Sequence, residues 1–233
     1  MSIFRIQHNN FEKVIPIPNQ QKEYDDNEWE DVGRLSEGGW ENRYQYEASI
    51  VLETIKENNC KTILEIGCGP GRLSHLIQQG TPELDYHLID KPNAKSWFEK
   101  SGYKGTFFIK DLASSFDTTG LYKNYDMIMA NDFLEHIFNP SIVLQTIYGM
   151  MKDTSVFFIS VPNWRMAHQF IYRGLWDYDH FVYMMFVHGF DITSVYPSIL
   201  QTPFYPKLDS EKDMPDELIQ SWNFYFVAKK RTT

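Results

Sequence analysis

The sequence predicts an α/β fold: a doubly wound, mostly parallel sheet with helices on both faces and an antiparallel strand at its end. Three observations predict it. Short apolar runs alternate with helical stretches of about 8–12 residues, the pattern of βαβ units. A glycine-rich turn, Gly67-Cys-Gly-Pro-Gly71, separates the first such run from the next helix. Asp90, Asp111 and Asn131 stand at or just beyond the carboxyl ends of later runs, the edge at which open α/β sheets bind ligands.

The elements follow in order. Residues 1–40 show no clear period. Their stretch KEYDDNEWEDVGRLSEGG is acidic and glycine-containing, and reads as an N-terminal arm or lid. A helix is expected from Tyr46, with Ile50, Leu52 and Ile55 near one face and Asn58-Asn59 as its stop. Residues 61–66 form a short buried strand that ends at Gly67, and residues 72–79 are helical in composition. A strand over 86–90 is followed by a helix over 93–100 with Pro92 at its start, where a missing N–H costs nothing. Strands are expected over 106–110 and 125–130, a helix over 141–151 and a fifth strand over 155–161. Two β-rich runs, 190–195 and 223–228, complete seven strands, joined by a polar loop over 202–216. The division is therefore 1–40 as an N-terminal arm or lid and 41–233 as one domain, with 164–190 as an insertion before the sixth strand.

Composition narrows the class. The chain has 233 residues, 42% hydrophobic, enough for one sizeable core. No window approaches the roughly 18 apolar residues of a membrane-spanning helix, and the first twenty residues lack a signal-peptide pattern. Two cysteines, Cys60 and Cys68, make no disulfide framework, so a reducing cytoplasm is the expected home. Acids outnumber Lys plus Arg by 31 to 22, a net charge of −9 that opposes nonspecific nucleic-acid binding. Aromatics at 16% suit either a generous apolar pocket or an aromatic core.

The glycine turn carries the strongest signal. Gly67, Gly69 and Gly71 let a ligand approach the main chain, at the positive end of the following helix. The spacing departs from a dinucleotide fingerprint, because Arg72 stands where the third glycine belongs, and Glu65 at the strand end is foreign to it. Asp90, nineteen residues after Gly71, is placed to take the two hydroxyls of a ribose; its plainer reading is an acid at a helix N-terminus before Pro92.

These residues reach a known family. LEIGCGPGR with Asp90, Asp111-Leu112 and NDFLEHIFNP closely resembles the class I S-adenosylmethionine-dependent methyltransferases, especially the broad small-molecule group (type 11/23-like) with a D-x-L-E-H-type segment after the fourth strand. The resemblance implies S-adenosylmethionine as cofactor. It gives Glu65 and the backbone of Gly67 and Gly69 the methionine part, with Cys68 and Gly71 in the same loop. Asp90, next to Lys91, would hold the ribose, Asp111 and the Leu112 amide the adenine, and the Asn131 carbonyl the cofactor amino group. Arg43, expected just before the first helix, is a weaker candidate for the cofactor carboxylate.

The implied reaction is methyl transfer to an oxygen or nitrogen of a small-molecule acceptor. Such a displacement needs alignment and, for a hydroxyl or ammonium, a base. His136, His168, His180 and His188 are candidates by titration range, with Asp132 as a carboxylate alternative. Asp132, Glu135 and His136 could instead share a divalent metal with a distant His180, an arrangement that some related O-methyltransferases resemble and that is disfavoured here. The aromatic segment 164–190, with Trp164, Phe170, Tyr172, Trp176, Tyr178, Phe181, Tyr183 and Phe186, reads either as an acceptor pocket or as a helix packing its rings on the sheet. Three rivals stay open: a nucleic-acid or protein methyltransferase, a non-catalytic S-adenosylmethionine-binding protein, and a nicotinamide oxidoreductase. Oligomeric state is not legible, and no membrane partner is expected.

Overall fold

A computed structural model describes residues 38–110, 117–137, 139–162, 178–198 and 223–231. In chain order these form α1 (Gly38–Asn58), β1 (Thr62–Ile66), α2 (Arg72–Gly80), β2 (Asp85–Asp90), α3 (Pro92–Ser101), β3 (Thr106–Ile109) and β4 (Tyr125–Asn131). A 3₁₀ turn (Leu134–His136) follows, then α4 (Pro140–Met150), β5 (Met151–Pro162), α5 (Tyr178–Val187), β6 (Phe190–Ser198) and β7 (Asn223–Lys230). The seven strands lie in the order β3-β2-β1-β4-β5-β7-β6. β7 runs antiparallel to both β5 and β6, and the remaining pairs are parallel. The chain reverses its direction of strand addition between β1 and β4, so a crevice opens at their carboxyl ends.

The central strands read as apolar runs because both of their faces are covered. Leu64, Ile66, Ile128, Ala130, Phe157 and Ile159 pack with α4 and α5 on one side. Ile63, Met127, Met129, Val156 and Phe158 pack with α1 and α2 on the other. The aromatic residues of α5 follow the packing alternative: Tyr178 and Phe181 are buried against Phe224 and Phe226 of β7, while Tyr183 and Phe186 are exposed. Among the described residues no helix is long and apolar enough to cross a membrane.

The largest departure from the sequence reading is α1. It starts at Gly38 rather than near Tyr46, so Arg43 lies inside the helix instead of before it. Two glycines conceal the start, but ion pairs fix that turn: Glu41 holds Arg72 of α2 at 2.6 Å and Arg43 holds Glu47 one turn on at 2.8 Å. The C-terminus ends as expected at Asn59, in the left-handed region with φ +50°, and the Cys60 N–H caps the Ile55 carbonyl at 3.1 Å.

Asp126 staples the amino ends of the central strands. One carboxylate oxygen accepts the N–H groups of Lys61 (2.9 Å) and Thr62 (3.0 Å) and the Thr62 hydroxyl (3.1 Å), and the other meets the Lys152 ammonium. Burial raises its pKa, but Lys152 and these donors together hold it below the ordinary carboxylate range. Asp126→Ala is expected to cost about 1–3 kcal/mol in urea unfolding at neutral pH. Because the folded pKa is depressed, that contribution is present above the ordinary value and lost as pH falls through the folded one. The wild-type and variant curves should therefore converge in acid. Equal stability at neutral pH would exclude the staple.

Candidate functional site

The carboxyl end of β1 runs directly into the glycine turn. Gly67 and Gly69 take φ of +69° and +53°, which residues with a Cβ rarely adopt. The turn is pinned to β2 from two sides. The N–H groups of Gly67 and Cys68 donate to the Ile89 carbonyl at 2.9 and 3.2 Å. The Asp90 carboxylate accepts the Gly69 N–H at 2.6 Å with one oxygen and the Lys91 N–H at 2.7 Å with the other. Burial raises the Asp90 pKa against the pull of these two donors. Cys68 is buried with its thiol on the Gly69 carbonyl, and burial pushes that thiol well above its usual range, away from the reactive thiolate.

Beneath the turn lies a buried acid. In β1 the residues alternate between sheet faces, and Glu65 falls on the face covered by α1 and α2. It accepts hydrogen bonds from the hydroxyl and the N–H of Ser74, in the first turn of α2, a helix whose N-cap Gly71 offers no side-chain cap. Burial, with Glu47 and Asp90 nearby, raises the Glu65 pKa to about 8.

The end of β4 forms the opposite wall. Both amide atoms of the Asn131 side chain are buried without a hydrogen-bond partner among the described residues. The next residue, Asp132, has φ +43°. Its N–H donates to the Ser160 carbonyl (3.1 Å), and one carboxylate oxygen accepts the Ser160 hydroxyl (2.9 Å) and the Asn223 amide (3.1 Å). The other oxygen pairs with Arg43. One carboxylate thus joins α1, β4, β5 and β7. In the 3₁₀ turn, Glu135 is 1% exposed and one of its oxygens has no hydrogen-bond partner among the described residues. Burial raises its pKa to about 8, opposed by the charge of Arg43. His136 Nε2 lies 3.8 Å from the other Glu135 oxygen.

The fold therefore brings Glu65, Gly67, Cys68, Gly69, Gly71, Asp90 and Lys91 together around one turn, with Arg43, Asn131, Asp132 and His136 across the crevice. His180 and His188 belong to α5 and the turn after it, on the sheet face opposite α1. Asp111, Leu112, His168 and the aromatic residues of 163–177 lie outside the described residues, as does the 202–216 loop. Among the described residues no three potential ligands cluster closely enough to hold a metal ion. Sequence reasoning missed Ser160, Asn223, Ser74 and Glu47, which reach the site only by tertiary pairing, and Phe133, which sits at the unassigned x of the D-x-L-E-H segment. A Cβ built on Gly67 would stand 2.8 Å from Phe133 Cγ.

Known proteins share this arrangement of elements. A family model described as a methyltransferase domain matches residues 40–194. Among curated proteins, the chain is similar to the putative methyltransferase 235L of Invertebrate iridescent virus 6, 25% identical over 139 residues, covering 59% of this chain and 51% of that one. It is 37% identical over 60 residues to the ribosomal RNA large subunit methyltransferase G of Shewanella putrefaciens (strain CN-32 / ATCC BAA-453), covering 26% and 16% respectively. The chain thus spans about half or less of the length of these curated relatives. Among solved structures, the plantazolicin methyltransferase BpumL in complex with SAH superimposes with a TM-score of 0.62 at 17% identity, over 91% of this chain and 93% of that one, a likeness of fold.

Glu65 gives the site a pH signature. Its carboxyl ionises near 8 in the folded chain and near the ordinary ~4.3 when unfolded. Between these values the folded chain holds the extra proton. The contribution is complete below the lower value and is lost as pH rises through about 8. Glu135 adds a slope of the same sign. Glu65→Gln is expected to flatten part of the fall in unfolding free energy from about pH 5 to pH 8, read by urea titration at several pH values. A fall as steep as in the wild type would show that Glu65 ionises normally.

Proposed function

This chain belongs to the methyltransferase-domain family, and from that premise we propose that it transfers a methyl group from S-adenosylmethionine to an oxygen or nitrogen of a small-molecule acceptor. The observation that carries the reading is the glycine turn closed by Asp90 with the buried Glu65 beneath it, at the sheet's reversal point. The residues present suit such a ligand. Asn131 carries buried polar atoms without partners among the described residues, Glu65 is an acid that a nearby ligand cation would ionise, and the glycine turn leaves main chain uncovered by Cβ atoms.

S-adenosylmethionine supplies a methyl group made electrophilic by a positive sulfur, displaced in line to leave a neutral thioether. The chain's own part is to bind, align and exclude water. In this reading Glu65, Gly67, Gly69 and the Asn131 carbonyl hold the methionine part and Arg43 its carboxylate. Each Asp90 oxygen accepts one backbone N–H and retains a second lone pair, so the carboxylate can take ribose hydroxyls without surrendering the turn. Asp111 and Leu112 take the adenine, as the family resemblance implies. His136, in the turn directly after β4 and 3.8 Å from the buried Glu135, is favoured over His180 of α5 as the group that removes the acceptor proton. Asp132 is engaged with Arg43, Ser160 and Asn223, which favours a positioning role over that of a base.

An RNA acceptor is the second reading, favoured by the ribosomal RNA methyltransferase among the relatives. The net charge of −9 supports the small molecule instead. Calorimetric titration with S-adenosylhomocysteine, with NAD in a parallel cell, tests the cofactor. Micromolar binding of the former alone is expected, weakened by about 1–3 kcal/mol in Asp90→Ala. NAD binding alone would overturn the reading, and unchanged affinity in the variant would remove Asp90 from the ribose site. A panel of small hydroxyl and amine acceptors beside a structured RNA then separates the acceptor classes.

A further inference from the structure

Two phenylalanine rings touch the glycine turn, from different directions. Phe98 of α3 is 6% exposed and packs under Gly71 as part of the core, where a Cβ on Gly71 would lie 3.0 Å from it. Phe133 is only half-buried and comes from the far wall of the crevice. A Cβ on Gly67 would stand 2.8 and 3.0 Å from its Cγ and Cβ, and closer still to Cδ2. Its side chain therefore lies across the surface that the missing Cβ leaves bare, which is the surface a ligand on this turn must share.

The position of Phe133 is built rather than incidental. The preceding Asp132 takes a left-handed φ of +43°. That conformation is over-determined: the Asp132 N–H is held by the Ser160 carbonyl and its carboxylate by Ser160, Asn223 and Arg43. On the other side, Leu134 is fully buried and the 3₁₀ turn closes with His136 N–H on the Phe133 carbonyl at 3.1 Å. The Phe133 backbone is thus clamped on both sides, and its side chain packs, partly buried, against the core cluster that includes Leu134. The π-face of an aromatic ring attracts a cation held within about 6 Å of its centroid.

Resting on the function proposed above, we infer that Phe133 is a specificity-determining residue: its ring, laid against Gly67, packs on the positive sulfur end of the methyl donor and favours the sulfonium over the neutral thioether left after transfer. Asp132 acts through it as a positioning residue. The arrangement would help donor replace spent product, because methyl transfer removes the charge that the ring holds.

The test needs no acceptor. S-adenosylmethionine and S-adenosylhomocysteine are titrated calorimetrically into the full chain, its Phe133→Leu variant, which keeps an apolar side chain without the ring, and its Phe133→Tyr variant, which keeps the ring. Phe133→Leu is expected to bind the sulfonium about fivefold more weakly while its affinity for the thioether changes less than twofold, and Phe133→Tyr to retain the wild-type ratio. Loss of affinity for both ligands in equal proportion would reduce Phe133 to packing and overturn the inference, as would an unchanged ratio in Phe133→Leu. Failure of the wild-type chain to bind either ligand would overturn the underlying function and this inference with it, a result distinct from binding without discrimination.

Discussion

The bond from the Gly69 N–H to the Asp90 carboxylate ties the carboxyl end of β1 to that of β2, and the site is arranged around it. The glycine turn has no side chains to hold its own shape, and its positive-φ residues would sample many conformations if left alone. A carboxylate accepting two backbone N–H groups is a charge-assisted anchor, of a kind that contributes about 1.5–3 kcal/mol. The turn in turn sets where α2 begins, and Ser74 in the first turn of α2 reaches Glu65 on the strand below. Loop, helix start and strand end are therefore one unit, made rigid before any ligand arrives.

The opposite wall depends on a second carboxylate used in a different way. Asp132 spends its hydrogen-bonding capacity on Ser160, Asn223 and Arg43, and so ties the late strands and the first helix to the loop after β4. Glu65, beneath the glycine turn, and Glu135, in the turn after β4, are both buried and both hold protons more tightly than an exposed carboxyl would. Buried acids of this kind cost stability when ionised, and they are retained where a ligand's positive charge can offset that cost.

The sheet was legible because its strands are covered on both faces and read as continuous apolar runs bounded by Gly, Pro and Asn. The glycine turn and Asp90 were legible because their chemistry is local: backbone freedom and a strand-end acid at a fixed separation. The start of α1 was not, since Gly38 and Gly39 argue against a helix and the ion pair from Glu41 to Arg72 that supports it spans 31 positions. Ser160, Asn223 and Phe133 were illegible for a related reason. Nothing in the sequence around Ser160 and Asn223 distinguishes them from ordinary strand residues, and Phe133 fills the unassigned position of the D-x-L-E-H segment; their roles arise from register between β4, β5 and β7 and from the left-handed turn at Asp132.

The most direct measurement is a crystal structure of the chain grown with S-adenosylhomocysteine. The expected result places the ligand along the carboxyl edge, ribose hydroxyls on the Asp90 carboxylate, the amino-acid end over Gly67 and Gly69, and the Gly69–Asp90 bond intact. A ligand bound elsewhere on the sheet, or one whose ribose leaves Asp90 untouched, would contradict the assignment of this turn as the donor site.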